Sequence, residues 1–130
     1  MDNTQERKKI LFISSEMRPF LDGDTPLAEI ARYLPQKIQE KDNEVRILVP
    51  RFGVINERRN RLHEVVRLSG INIIIDKDDY PLIIKVASIP KERMQVYFID
   101  NDEYFKRKAV YSDEDDQMFS DNDERMIFFA

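Results

Sequence analysis

Cysteine is absent from this 130-residue chain, and glycine and histidine are scarce, with three residues and one residue respectively. Without cysteine the chain can form no disulfide, use no thiol as a nucleophile and hold no metal through thiolates. The glycines form neither the G-x-G-x-x-G pattern nor the P-loop pattern of phosphate-binding loops. The single histidine, His63, has no second histidine or nucleophile pattern to act with, so we interpret it as a structural or exposed residue.

Long hydrophobic runs are missing as well. The N-terminus leads into an apolar run of only four residues, Ile10 to Ile13, which is too short for a signal peptide or a membrane span. We therefore expect a cytoplasmic protein. The formal net charge of −4 argues against nucleic acid and anionic membranes as partners. A length of 130 residues, with 42% hydrophobic and 35% charged residues, fits one domain with its own core.

The chain is organised around the segment from Lys9 to Pro35. The apolar run at its start predicts a β-strand that is buried on both faces. Apolar residues then recur at helical spacing over residues 26–41, with Thr25 as the N-cap and a proline at the first helical position. Pro35 should kink this helix or divide it in two. Ligands of α/β sheets bind at the carboxyl ends of the strands, so the loop from Ser14 to Leu27 is the first wall of a candidate site.

Further strands are predicted in the rest of the chain. They cover residues 44–49, 62–68, 71–75, 82–89 and 94–99. The first of these should be parallel to the opening strand, because a helix connects the two. The second alternates only partly, and the third and fourth predict a β-hairpin with a longer loop. Short helices are expected to end near Lys106 and to begin at Asp121.

Two loops carry candidate ligand groups. The loop before the first helix is where a phosphate cradle would lie, but Asp22 and Asp24 place negative charge there and Pro26 removes a backbone donor. Residues 113–124 have oxygen-bearing side chains at the spacings of a calcium loop. Met118 occupies the turn position that requires glycine, so a solvated acidic loop is favoured over a calcium site.

Basic and aromatic residues offer two further possibilities. Four arginines could bind a phosphate or another anion, or could form a solvated loop face, as charged clusters usually do. They are Arg51, Arg58, Arg59 and Arg61. Four aromatic residues could stack on a sugar ring, although aromatic residues are more often part of a core. They are Tyr97, Tyr104, Phe105 and Tyr111.

Five sequence blocks, in order along the whole chain, resemble the bacterial glycogen and starch synthases, which are glucosyltransferases that use ADP-glucose. The first four are KILFISSEMRP from Lys9, LAEI from Leu27 with LP at residues 34–35, EVRILVPRFG from Glu44 and YFIDNDEYF from Tyr97. The fifth is the predicted helix at the end of the chain, with Asp121, Asn122, Arg125 and the pair Phe128-Phe129. Each block alone is weak, but five blocks in the same order are specific. The resemblance is to the N-terminal domain of these enzymes.

The resemblance implies an α/β fold, the Rossmann-like N-terminal lobe of a two-lobed glycosyltransferase, incomplete over residues 1–130 and with a β-hairpin insertion. The active site of such an enzyme lies between the lobes, and the N-terminal lobe mostly faces the growing α-1,4-glucan. The implied partners are an α-glucan and possibly ADP-glucose, and no cofactor or metal is expected. The implied substrate-binding residues are Glu29, Arg51, Tyr104, Asp121 and Asn122, and no catalytic residue is assigned.

The chain departs from this family in the loop before the first helix. The family has a K-x-G-G-L motif there, whereas residues 22–27 read DGDTPL, so a cation is replaced by anions and stabilisation of the donor phosphates is lost at this point. The family's helix aspartate is Glu29 here. The segment from Asp121 turns apolar and stops without a cap, which predicts a fragment. Since glucosyl transfer needs groups from both lobes, we expect this chain alone not to catalyse glucosyl transfer.

Two other interpretations remain open. A degenerate synthase domain that binds glucan or a protein partner without chemistry would explain the altered loop. A stand-alone flavodoxin-like domain is a third interpretation, at the level of fold only. An incomplete sheet and the apolar residues Met126 to Phe129 should be exposed, so we also expect self-association, a homo-oligomer formed through that surface.

Overall fold

The computed structural model describes residues 6–21, 25–89 and 93–130. Within these residues it contains six strands, three α-helices and a 3-10 turn at Val66–Leu68. The strands are β1 (Lys9–Ile13), β2 (Glu44–Pro50), β3 (His63–Glu64), β4 (Ile71–Ile75), β5 (Asp78–Ile89) and β6 (Met94–Asp100). The helices are α1 (Pro26–Glu40), α2 (Asp102–Phe105) and α3 (Asn122–Phe129).

The strands form one mixed sheet in the order β1-β2-β6-β5-β3, and β4 pairs with β5. Strands β1, β2 and β6 are parallel, whereas β5 is antiparallel to β6. The prediction of an α/β sheet interrupted by antiparallel strands is confirmed. The parallel strands bring their carboxyl ends, at Ile13, Pro50 and Asp100, to one edge of the sheet, which is where a ligand site is expected.

Helix α1 begins as predicted. The Thr25 side chain accepts a hydrogen bond from the Ala28 N–H at 3.1 Å, and Pro26 occupies the first turn. The expected division at Pro35 does not occur: α1 continues through Pro35 as one helix to Glu40. Pro35 is buried on the same side of the helix as Ala28. The free energy gained by burying this face offsets the loss of the one helical hydrogen bond that a proline cannot donate.

One face of the sheet, here called the inner face, forms the core together with α1. Ile47, Val96 and Phe98 on this face are completely buried. Helix α1 places Ala31 against the core, and a small side chain at this position allows close approach. The loop after β1 adds Phe20, whose ring meets the ring of Phe98 edge-on with centroids 5.0 Å apart.

The opposite face, here called the open face, is largely uncovered within the described residues. Cross-strand pairing places on it the side chains of Leu11, Ile13, Leu48, Tyr97, Val86, Ile84 and Ile99, and of these Ile99 is buried. Leu11 and Ile13 are 56% and 58% exposed. The prediction that the first strand is buried on both faces is therefore wrong. An edge strand covered on one face has the same apolar composition as a central strand, so the run of residues could not distinguish the two.

Helix α3 buries most of the apolar segment that was expected to be uncovered. Phe128 is 2% exposed, and its ring centroid lies 5.5 Å from that of Tyr104 and 6.2 Å from that of Phe105. Within residues 126–129 only Ile127 is exposed. The expectation for this segment is wrong, because the aromatic rings of α2 cover it. Self-association through the sheet edge stays a prediction.

Two predicted β-segments differ from the structure in extent. The hairpin forms, but Ile75 pairs with Asp78, so a two-residue turn replaces the expected longer loop. Strand β5 runs through Pro81 because this part of β5 pairs with β4 alone, and proline is tolerated at an edge. The predicted strand over residues 62–68 shrinks to β3. The chain then turns, and the Ser69 hydroxyl holds the turn by donating to the Val65 carbonyl at 2.9 Å.

Gly53 supports a close contact between two loops, and its substitution should be costly. A Cβ at this position would lie 2.2 Å from the carbonyl oxygen of Arg107 and 2.6 Å from that of Phe105. These backbone atoms cannot rotate away, so Gly53→Ala should lower the free energy of unfolding, measured by urea denaturation, by about 3 kcal/mol. In the matched variant Gly70→Ala the new Cβ has no neighbour within 4 Å, and only the positive φ of +95° opposes it. An equal loss in the two variants would contradict the steric argument.

Candidate functional site

Four charged side chains meet at the carboxyl ends of β2 and β6, in what we call the charge cluster. Asp100 is completely buried, and its Oδ2 lies 3.1 Å from Nε of Arg51 and 2.7 Å from Nζ of Lys85. Glu57 pairs with Lys85, and its Oε1 lies 3.6 Å from Nε of Arg51. Two cations and two anions cancel, so the cluster has no net charge to offer a ligand.

The two less buried members of the charge cluster are held in their charged forms. Burial would lower the pKa of Lys85, but contacts with Asp100 and Glu57 outweigh it and raise the pKa. Burial would likewise raise the pKa of Glu57, but contacts with Lys85 and Arg51 lower it overall. Arg51, predicted to bind substrate, is 7% exposed and faces carboxylates. Its role toward a substrate stays a prediction.

A second polar group lies where α2 and α3 meet. The Asn101 side chain caps α2 by accepting from the Tyr104 N–H at 3.2 Å, and its amide donates to the Pro81 carbonyl at 3.0 Å. Tyr104 is buried, and its hydroxyl donates to Oε2 of Glu124 at 3.2 Å. Burial first, and then the neighbouring Tyr80 and Glu124, raise the pKa of Tyr104. The phenol is therefore a neutral donor.

Arg107 and Asp121 form a two-pronged ion pair beside this group. The Nη1–Oδ1 and Nη2–Oδ2 distances are 2.6 and 2.5 Å. Hydrogen bonds from Arg107 lower the pKa of Asp121, against the burial that would raise it. Asp121, another predicted substrate-binding residue, thus fastens the start of α3 to the segment that follows α2.

Asp121 also makes stability sensitive to acid. Because its pKa is lower in the folded chain than in the unfolded chain, the unfolded state binds more protons as the pH falls below about 4. The thermal unfolding midpoint, followed by circular dichroism, should therefore decrease as the pH falls from about 4 to about 2, and Asp121→Asn should remove part of that decrease. Asp115→Asn, in the exposed acidic loop, should retain it. Superimposable acid profiles of the parent and Asp121→Asn would contradict this role.

Arg125 is completely buried at the centre of the α2–α3 region. Its guanidinium donates to the carbonyls of Tyr104 and Val110 at 2.8 and 2.7 Å, and to Oδ1 of Asn122 at 2.8 Å. Three aromatic rings lie 5.2–5.6 Å from it, those of Phe52, Phe105 and Phe119. The predicted substrate-binding residue Asn122 therefore orients Arg125, and it also donates to the Tyr111 carbonyl at 2.9 Å.

A cavity of about 280 Å³, here called the β1 cavity, opens at the carboxyl end of β1. Glu16, Thr25 and Tyr111 supply polar groups to it, and its remaining lining includes the apolar side chains of Phe20 and Val54. Oε2 of Glu16 accepts a hydrogen bond from the Thr25 hydroxyl at 2.6 Å. A carboxylate thus already lies at the N-terminus of α1, where the helix dipole favours an anion. The β1 cavity therefore favours a neutral, hydroxyl-bearing ligand over a phosphate.

The five predicted substrate-binding residues do not converge on one point. Arg51 belongs to the charge cluster, whereas Tyr104, Asp121 and Asn122 lie at the α2–α3 region. Glu29 is exposed on the first turn of α1. None of the five lines the β1 cavity. Their assignment to substrate stays a prediction.

Sequence reasoning missed Glu57, Lys85 and Asp100 of the charge cluster, whereas Glu16 of the β1 cavity lies in the loop that was predicted as the first wall of a site but was not itself singled out. Asp100 had a usable signal, because it directly follows an apolar strand and so had to lie at its carboxyl end. Lys85 is the single charged residue in the apolar run from Leu82 to Ala87, and the run does not show whether such a lysine faces solvent or the interior. Its burial depends on the pairing of β5 with β6, which places it opposite Phe98.

The loops considered for phosphate and calcium have different outcomes. Residues 22–24 of the altered motif lie outside the described residues. In the acidic loop, Oδ1 of Asp113 accepts hydrogen bonds from the N–H groups of Asp115 and Gln117 at 2.9 Å, and the positive φ of 58° falls on Asp116 instead of Met118. Within the described part of the chain, no three His, Asp or Glu side chains are placed to hold a metal ion.

The basic and aromatic residues separate according to burial. Arg51 is buried, whereas Arg58, Arg59, Arg61 and His63 are exposed, which confirms the interpretation of His63. Tyr104 and Phe105 are core residues, and Tyr97 and Tyr111 are half-buried. Among the residues that the structure describes, no helix is long and apolar enough to cross a membrane.

Comparison with known proteins places this geometry in a family. Residues 9–130 match the family described as the starch synthase catalytic domain. The chain is similar to the glycogen synthase of Chlorobium phaeobacteroides, with 38% identity over 126 residues, and to that of Chlorobaculum tepidum, with 40% identity over 126 residues. These alignments cover 93% and 94% of this chain but 25% of each relative. The chain therefore spans a quarter of the length of the relatives it matches.

The fold is similar to a solved structure as well. The catalytic domain of starch synthase IV from Arabidopsis thaliana, bound to ADP and acarbose, superposes with a TM-score of 0.71 at 20% sequence identity. The superposition covers 95% of this chain and 23% of that chain. The resemblance carried by the five sequence blocks is confirmed, and so is the fold class. This chain belongs to the starch synthase catalytic domain family, the glycosyltransferase family of the glycogen and starch synthases, and corresponds to its N-terminal part.

Proposed function

We propose that this chain is the glucan-facing part of a glycogen synthase-like protein that transfers glucose from ADP-glucose to the end of an α-1,4-glucan. The family match over residues 9–130 and the names of the relatives support this assignment. The structural neighbour was solved with ADP and acarbose bound, which supports a nucleotide and an oligosaccharide as ligands of the complete site. The proposal includes a cytoplasmic location.

The β1 cavity is the observation that carries the proposal for glucan. It combines the half-buried ring of Tyr111 with the carboxylate of Glu16 and the hydroxyl of Thr25. An aromatic ring can pack against the apolar face of a sugar, and a carboxylate accepts hydrogen bonds from its hydroxyls. The cavity lies at the carboxyl end of a parallel strand, where ligands of such sheets bind.

Glucosyl transfer by this chain alone is not part of the proposal. In the part of the chain that the structure describes, no arginine or lysine lines the β1 cavity, and the cations of the charge cluster are neutralised. Stabilisation of a leaving nucleotide diphosphate needs preorganised cations or backbone donors. In a complete synthase, those cations or donors must therefore come from residues outside this chain.

A second candidate function is a glucan-binding domain without chemistry. One observation favours it: in the sequence, the anions Asp22 and Asp24 occupy the loop where the family has a lysine. This candidate predicts glucan binding without donor binding. The glucosyltransferase proposal instead predicts binding of ADP-glucose, but only in a longer protein that contains the second lobe.

Titration calorimetry of this chain with maltohexaose, and separately with ADP-glucose, tests the proposal. We expect saturable binding of maltohexaose, about tenfold weaker in Glu16→Gln and in Tyr111→Leu, and no binding of ADP-glucose. Tyr33→Ala is the matched control, because Tyr33 is an exposed aromatic residue on α1 outside the cavity. Unchanged affinity in both cavity variants, with their fold verified by circular dichroism, would refute the β1 cavity as the glucan site.

A further inference from the structure

A second cavity, which we call the basic groove, lies along the free edge of β5 and shares only Phe20 with the β1 cavity. It has a volume of about 460 Å³. One wall is the segment that enters β3, with Arg59, Arg61 and His63. The opposite wall and floor are the last residues of β5, Val86–Ile89, together with Phe20. Strand β3 pairs only with Lys85 and Val86, so the groove adjoins the start of β3, where His63 pairs with Val86.

The charge of the basic groove has one sign. Among the described residues, its lining contains two arginines and a histidine, and no aspartate or glutamate. Neither Arg59 nor Arg61 forms an ion pair within the described residues, in contrast to Arg51 and Arg107, whose charges are neutralised by carboxylates. A chain with a net charge of −4 thus keeps unneutralised cations in one concave place.

A tight turn fixes the backbone that carries these cations. The Asn56 side chain accepts from the Arg59 N–H at 2.8 Å, and the N–H groups of Arg61 and Leu62 donate to the carbonyls of Arg58 and Glu57 at 3.3 and 2.9 Å. Arg61 takes a φ of +55°, a left-handed conformation that favours glycine. An arginine in this conformation has a higher backbone free energy than a glycine would have. The arginine is nevertheless present, and its side chain is part of the groove lining.

We propose that the basic groove binds a small phosphate ester. Guanidinium groups match the geometry of phosphate oxygens, and a histidine beside them adds a further donor. The apolar floor formed by Ala87, Ile89 and Phe20 suits the organic body of the ligand, and the volume is that of a small-molecule site. A nucleic acid fits less well, because it requires a longer stripe of cations than this groove presents. The inference does not depend on the proposed glucan function.

Calorimetric titration of the chain at constant ionic strength, with glucose 6-phosphate, inorganic phosphate and glucose as probes, tests this inference. We expect glucose 6-phosphate to bind saturably, inorganic phosphate at least about tenfold more weakly, and glucose not to bind in the groove. Equal affinity for the two phosphates would refute a role for the apolar floor. Absence of saturable phosphate-ester binding would refute the site.

Three variants locate the binding. Arg59→Ala and Arg61→Gly should each weaken glucose 6-phosphate binding about tenfold, since each removes a charge-assisted contact. Arg61→Gly should resist urea as well as the parent does, because glycine suits the positive φ. Arg58→Ala removes the same charge from the same turn but outside the groove lining, and should leave binding unchanged. An equal loss of affinity in Arg58→Ala would show that only the overall charge of the chain matters, and would overturn the assignment to the groove.

The two proposals can fail separately. If glucose 6-phosphate binds as expected but maltohexaose does not bind, the glucan proposal alone is refuted.

Discussion

Asp100→Asn should destabilise the chain by about 3 kcal/mol, because it removes the buried anion that lies between two cations. Asp100 is completely buried, and Arg51 and Lys85 are largely buried beside it. Glu57 and the exposed Asp102 would then be the carboxylates left near the two cations. Urea denaturation measures the loss. Against a total stability of about 5–15 kcal/mol for a typical domain, it is a large fraction.

The control for this variant is Asp102→Asn. Asp102 approaches the same arginine, with Oδ1 3.9 Å from Nη2 of Arg51, but its side chain is 70% exposed. An exposed ion pair at this distance contributes little, so the change should stay within about 0.5 kcal/mol. If the two variants lost similar stability, burial would not be the reason for the effect at Asp100.

Arg125→Met should cost about 4 kcal/mol, the largest effect that we expect from a single side chain. A methionine fills much of the volume but donates no hydrogen bond, so the buried carbonyls of Tyr104 and Val110 would lose their donor. It would also remove the charge that the rings of Phe52, Phe105 and Phe119 surround. Burial, and then repulsion from Arg107, lower the pKa of Arg125, so this cation depends on its hydrogen bonds and rings.

Arg58→Met is the matched control for Arg125→Met, because it makes the same chemical change at an exposed arginine. It should alter the urea midpoint by little, as surface substitutions usually do. A stability loss at Arg125 below about 1 kcal/mol would show that a buried hydrophobic side chain replaces the guanidinium adequately, as happens at some buried ion pairs.

The fold was predictable where local pattern and tertiary environment agree. Thr25 and the following proline marked the start of α1, and the apolar runs of β2 and β6 marked strands, of which only β2 was predicted to be parallel to β1. The environment of β1 was not predictable. Its exposure depends on what covers each face of the sheet, and an apolar run of residues carries no information about that.

The charge cluster and the α2–α3 region show why site geometry was harder to predict. Lys85 and Asp100 are 15 positions apart and meet only because β5 and β6 pair in one register. Arg125 matched the family pattern of its helix, yet nothing local indicated a buried cation among three rings. The altered loop before α1 was visible in the sequence at once, because a change of charge at a motif position needs no tertiary information.

The open face has a thermodynamic consequence. Apolar surface hydrated on unfolding is the source of the heat-capacity increase, which for ordinary domains is about 12–15 cal/mol/K per residue. Side chains such as Leu11 and Ile13 are already hydrated in the folded chain and contribute little to that increase. The heat-capacity change per residue should therefore lie below this range, and the curve of stability against temperature should be flatter. Whatever stability the chain has would then vary little with temperature, and cold would weaken it less than it weakens a domain whose sheet is covered on both faces.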